Sequence, residues 1–351
     1  MVSLFGNKNA GWVGVDIGSS SVKLVSLSQQ GRDCQVDSYA IVSLPPSAVV
    51  DGSVENQAEV SEAIERGLKI CGSKLKHAVV AVPSSAVITK RLEISNAFAE
   101  MELEEQVKIE ADQFIPYALD EVALDFEVLG PVDNHPNLNE ILLVACRRDD
   151  VSNREDAVNA AQLNCDIVDV DTFAVERLLS VLDAADPGAL VGMVDIGAAT
   201  LTLNVFRDGK IIYNREQAFG GNELSNAIHQ QYGLEISDIE QKLRGGGLDE
   251  EIIEMLVMPF RQSVVQQVSR ALQFFYSSGA QSQLAELYVA GGTAGIDGLV
   301  ELMQEEIGVP SRVLNPFEHI RIGSRLNRDR LMKDAPMLAK ACGLALRSFD
   351  R

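Results

Sequence analysis

The sequence predicts an α/β protein made of two duplicated halves that face each other across a ligand-binding cleft. Three observations lead to this prediction. The chain has 351 residues, more than one typical core needs; a strand–turn–strand motif occurs twice; and further glycine turns follow buried strands. Apolar residues make up 46% of the chain and charged residues 23%, as in folded globular proteins.

The repeated motif consists of an apolar run, Asp-Ile-Gly, three small residues and a second alternating run. One copy covers residues 15–24 and the other covers 194–203. Each copy continues into a third run, 34–44 or 210–218, and Asp208-Gly209 before the latter is typical of a hairpin turn. Since two unrelated hairpins are a poorer explanation than one duplication, the repeat predicts two similar domains.

The residue types of the two turns suit the phosphates of a nucleotide. Gly18 and Gly197 permit sharp turns, and Lys23 adds a positive charge. Asp16 and Asp195 are the candidate catalytic residues, and as a pair across a cleft they suit a hydrated Mg²⁺. The neighbouring small residues leave backbone N–H groups open to phosphate oxygens: Ser19, Ser20, Ser21, Ala198 and Thr200.

Other glycine turns lie where the rest of a nucleotide would be held. Gly220 and Gly221 precede a predicted helix, whose N-terminus suits an anion or a ribose. A second turn, Gly291-Gly292-Thr293, follows a buried strand and precedes a helix predicted over 296–307. Its backbone could contact a purine, or the turn could have a purely structural role. Glu240 either faces the nucleoside or forms a capping box with Ser237.

The charge and the apolar runs restrict the partners. A formal net charge of −21 argues against nucleic acid and against an anionic membrane surface, and it suits either a basic peptide or mere solubility. No apolar run reaches the ~18–20 residues that span a bilayer, and the five cysteines have no metal-binding spacing. The prediction is a cytoplasmic protein that reaches a membrane only through a partner.

The motifs resemble, in order, the five motifs of the actin, sugar kinase and Hsp70-type ATPase superfamily: 13–23, 167–180, 191–203, 287–294 and 336–346. Within it the sequence is most similar to the PilM family of type IV pilus platform proteins, through the stretches 3–6, 101–117, 220–224 and 315–317. The sequence departs from the family at Leu243, where a lysine is usual, and it has no glutamine placed like the water-positioning residue of actin.

The resemblance implies an actin-like ATPase fold with an inserted, FtsA-like 1C subdomain. The expected ranges are 1–90 for the first domain (1A), 91–166 for the insert, 167–190 for the return to 1A, 191–220 with 286–335 for the second domain (2A), 221–285 for subdomain 2B, and 336–351 for the helix returning to 1A. Small residues of this last helix are expected to pack against a helix around 173–182 and to form a hinge.

The resemblance also implies a function. The expected protein is an adaptor that binds ATP or ADP with Mg²⁺, hydrolyses it slowly or not at all, and binds the N-terminal cytoplasmic tail of a PilN-type inner-membrane protein. Other platform proteins, the assembly or retraction ATPases and a second copy of the chain are further expected partners. Two alternatives stay open: a sugar or carboxylate kinase, and an FtsA-like filament former, against which the absence of an anchor helix in 347–351 counts.

Overall fold

The structure is a computed structural model that describes residues 9–31, 33–182, 186–279 and 282–350. The stretch 3–6, which contributes to the family resemblance, lies outside the described residues.

The described residues form strands in three larger sheets and one small hairpin. In chain order the strands are β1 (Asn9–Ile17), β2 (Ser21–Gln30), β3 (Asp33–Ser43), β4 (Val49–Val50), β5 (Ser53–Val54), β6 (His77–Val82), β7 (Val87–Ser95), β8 (Val122–Val132), β9 (His135–Arg147), β10 (Asn164–Val170), β11 (Leu190–Ile196), β12 (Thr200–Arg207), β13 (Lys210–Ala218), β14 (Leu284–Ala290), β15 (Ser311–Val313) and β16 (Arg321–Ile322).

Helices cover the faces of these sheets. In chain order they are α1 (Gln57–Cys71), α2 (Glu100–Asp112), α3 (Arg148–Ala160), α4 (Asp171–Val181), α5 (Gly221–Tyr232), α6 (Ile236–Gly245), α7 (Glu250–Ile252), α8 (Met258–Ser277), α9 (Leu299–Ile307), α10 (Arg328–Asp334) and α11 (Ala339–Leu346). None of the helices in the described part of the chain is long and apolar enough to cross a membrane.

The two larger sheets have the same topology, which confirms the predicted duplication. The first has the order β16-β3-β2-β1-β6-β10, in which the short β16 is an addition at the edge, and the second has the order β13-β12-β11-β14-β15. In each, three strands form an antiparallel meander and two further strands add in parallel beyond the first strand of the meander. Such a parallel addition needs a crossover connection, and helices supply it in both halves.

A shared core holds the two sheets together. It contains Leu27 from the first sheet, Phe206 from the second, and Leu178 of α4 and Ala341 of α11 between them. As predicted, α11 packs against α4 through small residues. A Cβ atom added at Gly343 would overlap with the carbonyl oxygen of Ala174, so only glycine permits this distance between the helices.

A third sheet, of order β7-β9-β8, forms a separate small lobe with α2. Val107 and Ala111 of α2 are buried against Ile141 and Leu143 of β9. The apolar face of this helix therefore covers the small sheet, while most of the acidic side chains of α2 are exposed.

The strand pairing corrects the expected start and end of the insert, 91 and 166. Strand β7 pairs with β9 from Val87 onward, so the small sheet begins before residue 91. Helix α3 belongs to the first domain, because its buried Arg154 donates to the carbonyl oxygens of Ala81 and Gly52 at 2.7 and 2.5 Å. Strand β10 pairs with β6, so the insert ends with β9.

A second correction concerns the range 286–335, expected to belong to the second domain. Strand β16 lies within this range, but it pairs in parallel with β3 and extends the first sheet. Its pairing is tertiary and carries no local sequence signal, since a two-residue strand is too short for periodicity.

Candidate functional site

The two repeated turns have the same backbone geometry. The N–H of Gly18 donates to the carbonyl of Ser21 at 3.1 Å, and the N–H of Gly197 donates to the carbonyl of Thr200 at 2.9 Å. Each turn therefore joins the first two strands of its meander and places its small residues at the edge of the cleft.

A cavity of about 1160 Å³, part of it open to solvent, lies between the two turns. The structure brings nearly all the candidate residues together around it: Asp16, Gly18, Ser19, Ser20, Ser21, Lys23, Asp195, Gly197, Ala198, Thr200, Gly221, Glu240, Gly291, Gly292 and Thr293. Both halves of the protein thus contribute residues to this site.

Gly220 is the exception, because it does not line the cavity. A Cβ atom there would overlap with the carbonyl oxygen of Ala198, so Gly220 permits α5 to pack directly beneath the second turn. The N–H groups of Gly221 and Asn222 donate to the carbonyls of Gly197 and Ala198 at 2.9 and 2.8 Å. These two donors therefore have protein partners, and the anion or ribose contact expected at this helix N-terminus stays a prediction.

The turn after β14 packs against the second repeated turn. Gly291 has a φ of 90°, and its N–H donates to the carbonyl of Pro336 at 2.9 Å. A short 3₁₀ turn, Gly292–Gly295, follows, so α9 begins at Leu299, later than the predicted residue 296. Gly298, with a φ of 71°, accounts for the delay because it separates the two helical segments.

Glu240 lines the cavity from α6. The helix begins at Ile236, which places Ser237 inside its first turn, and no side-chain cap is formed at the N-cap residue Glu235. The capping-box alternative is therefore wrong. Leu243, the position where the family usually has a lysine, is one turn further along and also lines the cavity.

A lysine that the sequence interpretation missed completes the site. The ammonium of Lys340, on α11, lies 3.0 Å from Asp195 Oδ2 and 3.5 Å from Asp171 Oδ2. Lys23 lies 3.4 Å from Asp16 Oδ2. The signal for Lys340 was a lone charged residue in the otherwise apolar segment of α11.

The carboxylates around Lys340 stabilise its charge. Burial by itself lowers the pKa of Lys340, but Asp195, Asp171 and Asp16 more than offset this effect, so the pKa lies well above its usual value. The side chain is 22% exposed and Asp195 is 15% exposed, so the ion pair is only weakly screened by water.

Other cavity residues were also missed, because their types are common in cores and turns. They are Ile41, Ser43, Asn222, Leu224, Ser225, Leu243, Ile296, Pro336, Met337 and Ala339. The Ser21 hydroxyl is buried and has no hydrogen-bond partner among the described residues, which leaves a polar group without a protein partner beside the first turn.

The carboxylates do not form a metal cage by themselves. Within the described ranges, no three His, Cys, Asp or Glu side chains are arranged to hold a metal ion. Asp16 and Asp195 each contact a lysine, but as carboxylates they offer the oxygen ligands that Mg²⁺ prefers, and they fit a hydrated Mg²⁺ that would reach them through water.

Two duplicated α/β domains around a cleft with paired Asp-Ile-Gly turns define the actin-like ATPase fold. The sequence model of the family described as type IV pilus assembly protein PilM matches residues 14–349. The chain therefore belongs to the PilM family.

Three known proteins are similar to this chain. A solved structure titled "PilM-PilN type IV pilus biogenesis complex" is 27% identical, covers 97% of this chain and 99% of its own, and superposes with a TM-score of 0.81. The cell division protein FtsA of Pseudomonas aeruginosa is 24% identical over 87% of this chain and 83% of its own length. The ethanolamine utilization protein EutJ of Carboxydothermus hydrogenoformans shares the fold, with 18% identity over 95% of this chain and 89% of that chain, and a TM-score of 0.56.

Proposed function

We propose that the protein is an ATP-binding adaptor of type IV pilus assembly. The observation that carries the nucleotide part is the single cavity lined by both Asp-Ile-Gly turns and by the Gly291 turn. The fold class and the family membership support the same function.

The geometry suggests how a nucleotide would be placed. The phosphates would lie between the turns at Gly18 and Gly197, whose small side chains leave space, and Lys23 would contact them. The adenosine would lie against Gly291 and Gly292, with Glu240 and Leu243 of α6 beside it. Mg²⁺ would supply charge neutralisation on the phosphates, near Asp16 and Asp195.

Calorimetric titration of the full chain with ATP and Mg²⁺ tests this placement. We expect the wild type to bind and the Asp16→Ala/Asp195→Ala variant to bind at least about tenfold more weakly, because the site loses the two carboxylates proposed to contact the hydrated Mg²⁺. Glu105→Ala/Glu301→Ala removes two exposed carboxylates outside the cavity and is the matched control. Equal affinity of wild type and Asp variant would contradict the placement.

We infer that the partner is the N-terminal cytoplasmic tail of a PilN-type inner-membrane protein, through which the chain reaches the membrane. The solved PilM–PilN complex, similar over nearly the whole chain, supports this partner. A groove beside the small lobe would hold the tail, since the exposed acidic face of α2 suits a basic residue on an extended peptide.

Fluorescence anisotropy with a labelled tail peptide tests the partner. We expect saturable binding that weakens as salt rises, because acidic and basic groups meet. A scrambled peptide of the same composition is the control, and equal binding of both peptides would argue against the assignment.

Nucleotide is proposed to set the angle between the two domains and thereby the affinity for the tail. The same anisotropy titration with and without ATP measures this coupling; an unchanged affinity at saturating ATP would refute it. We expect steady-state hydrolysis below ~1 s⁻¹, the lower end of ordinary enzyme turnover, and faster turnover would contradict an adaptor role.

A further inference from the structure

Lys340 occupies a distinctive position in the cleft. Its ammonium joins Asp171, at the start of α4, to Asp195, at the end of β11, and Lys340 itself is on α11. Three chain segments that are distant in sequence thus meet at one amino group. At the first turn, by contrast, the carboxylate of Asp16 contacts a lysine of the same hairpin, Lys23.

The charge balance of the cleft depends on this lysine. Asp16, Asp171 and Asp195 are opposed by the two ammonium groups of Lys23 and Lys340. Without Lys340, Asp195 would lose the cation that contacts it, and the three carboxylates would keep Lys23 and the buried guanidinium of Arg154, which interacts with Asp171 and Asp16. All three carboxylate side chains are at most 15% exposed, so water compensates poorly for a missing counter-charge.

Lys340 also stands where a cation is needed. A hydrated Mg²⁺ that is bound to phosphates would approach Asp195, whose Oδ2 is in contact with the lysine. A protein cation and a divalent ion cannot both have full contact with one carboxylate oxygen, because two like charges at that distance repel.

We propose that Lys340 is a resident cation of the cleft, which pairs with Asp171 and Asp195 in place of a metal ion and competes with divalent ions for Asp195. We also expect Lys340 to lower the dependence of nucleotide binding on Mg²⁺, because it already neutralises carboxylates that would otherwise repel the phosphates. This second expectation rests on the proposed function.

Manganese binding to the nucleotide-free protein tests the competition directly. Mn²⁺ has the same preference for oxygen ligands as Mg²⁺, and its free concentration can be measured by electron paramagnetic resonance. We expect Lys340→Met, which keeps the length of the side chain and removes its charge, to bind Mn²⁺ at least about tenfold more tightly than the wild type.

Two further variants make this result interpretable. Lys340→Gln keeps a polar end and replaces the methionine variant if that one fails to fold. It is also expected to bind Mn²⁺ more tightly than the wild type. Lys333→Met removes the charge of an exposed lysine on α10 that does not line the cavity, and it is expected to leave Mn²⁺ affinity unchanged. Equal Mn²⁺ affinity of the wild type and the folded Lys340 variants would overturn the proposal.

Nucleotide titrations distinguish this inference from the proposed function. With a fluorescent ATP analogue, we expect the ratio of Kd in chelator to Kd in Mg²⁺ to be at least about tenfold larger for Lys340→Met than for the wild type. If the wild type and Lys340→Met both bind the analogue and have the same ratio, the proposal is overturned. If the wild type binds no nucleotide under either condition, the proposed function fails, and the Mn²⁺ measurement still decides the role of Lys340.

Discussion

The two Asp-Ile-Gly turns share one backbone and differ in how their aspartate is neutralised. In the first, Asp16 lies directly across the hairpin from Lys23, which is its ion-pair partner at 3.4 Å. In the second, the residue across from Asp195 is Thr202, and the counter-charge comes from Lys340 on α11 at 3.0 Å. The first ion pair is local, and the second exists only when the chain has folded.

This difference shows that the duplication preserved the backbone of the turns but not the ion pairs of their aspartates. The second turn also supports more of the surrounding structure, because Gly220 and Gly291 pack against its carbonyl oxygens. We therefore expect changes in the segments that pack on the second turn to affect the whole fold and changes at the first turn to have mainly local effects.

The largest difference is expected between Gly291→Ala and Gly18→Ala. Gly291 has a φ of 90°, and a Cβ atom there would overlap with the carbonyl oxygen of Ile196. A Cβ atom at Gly18 would meet chiefly the movable end of Lys23, at 2.7 Å. Urea denaturation should show a loss of about 3 kcal/mol or more in the free energy of unfolding for Gly291→Ala and about 1 kcal/mol or less for Gly18→Ala. Similar losses of unfolding free energy for the two variants would contradict the proposed difference between the two turns.

A smaller difference is expected between Asp195→Asn and Asp16→Asn. The first change leaves Lys340 with Asp171 alone, whereas the second removes a longer ion pair within one hairpin. We expect losses of about 1–2 kcal/mol and less than about 1 kcal/mol, respectively, because the ion pair of Asp195 is shorter, at 3.0 Å against 3.4 Å, and its loss removes a link between distant chain segments. The same denaturation measurement applies, and a larger loss for Asp16→Asn would reverse the ranking.

A lysine placed across the hairpin from Asp195 should restore part of the stability that is lost when Lys340 is replaced. Thr202 occupies the register position of Lys23, so Thr202→Lys places a cation on the same face as Asp195. In a Lys340→Met background we expect this change to recover roughly half of the lost free energy of unfolding, limited by the burial of residue 202. Further destabilisation would show that the two hairpins differ in more than this one charge.

The smallest effect is expected from pH. Since the folded-state pKa of Lys340 lies above its unfolded value, its contribution to stability is complete below the unfolded pKa and is lost as pH rises through the folded pKa. The difference in unfolding free energy between the wild type and Lys340→Met should therefore stay constant up to about pH 9 and decrease only above about pH 10.4. A decrease between pH 6 and 8 would assign the difference to another group.

Much of the fold and part of the site could be predicted because the signals were local. The duplication, the turns at Gly18 and Gly197, and the close packing of the helix around Gly343 were all visible as residue types at fixed spacing. The range of the insert was less predictable, because α3 and β10 read as a helix and a strand whichever sheet they join.

What the sequence by itself determined is the pair of turns: glycine and small residues after a buried strand permit one backbone geometry, and the chain contains this combination twice. Tertiary structure alone decided which charges meet in the cleft. Lys340 is 145 residues from Asp195 in sequence (340 less 195), and only the packing of α11 on β1 and α4 brings its amino group to that carboxylate. Backbone geometry follows from neighbouring residues, whereas an ion pair across a cleft depends on the position of every element between its partners.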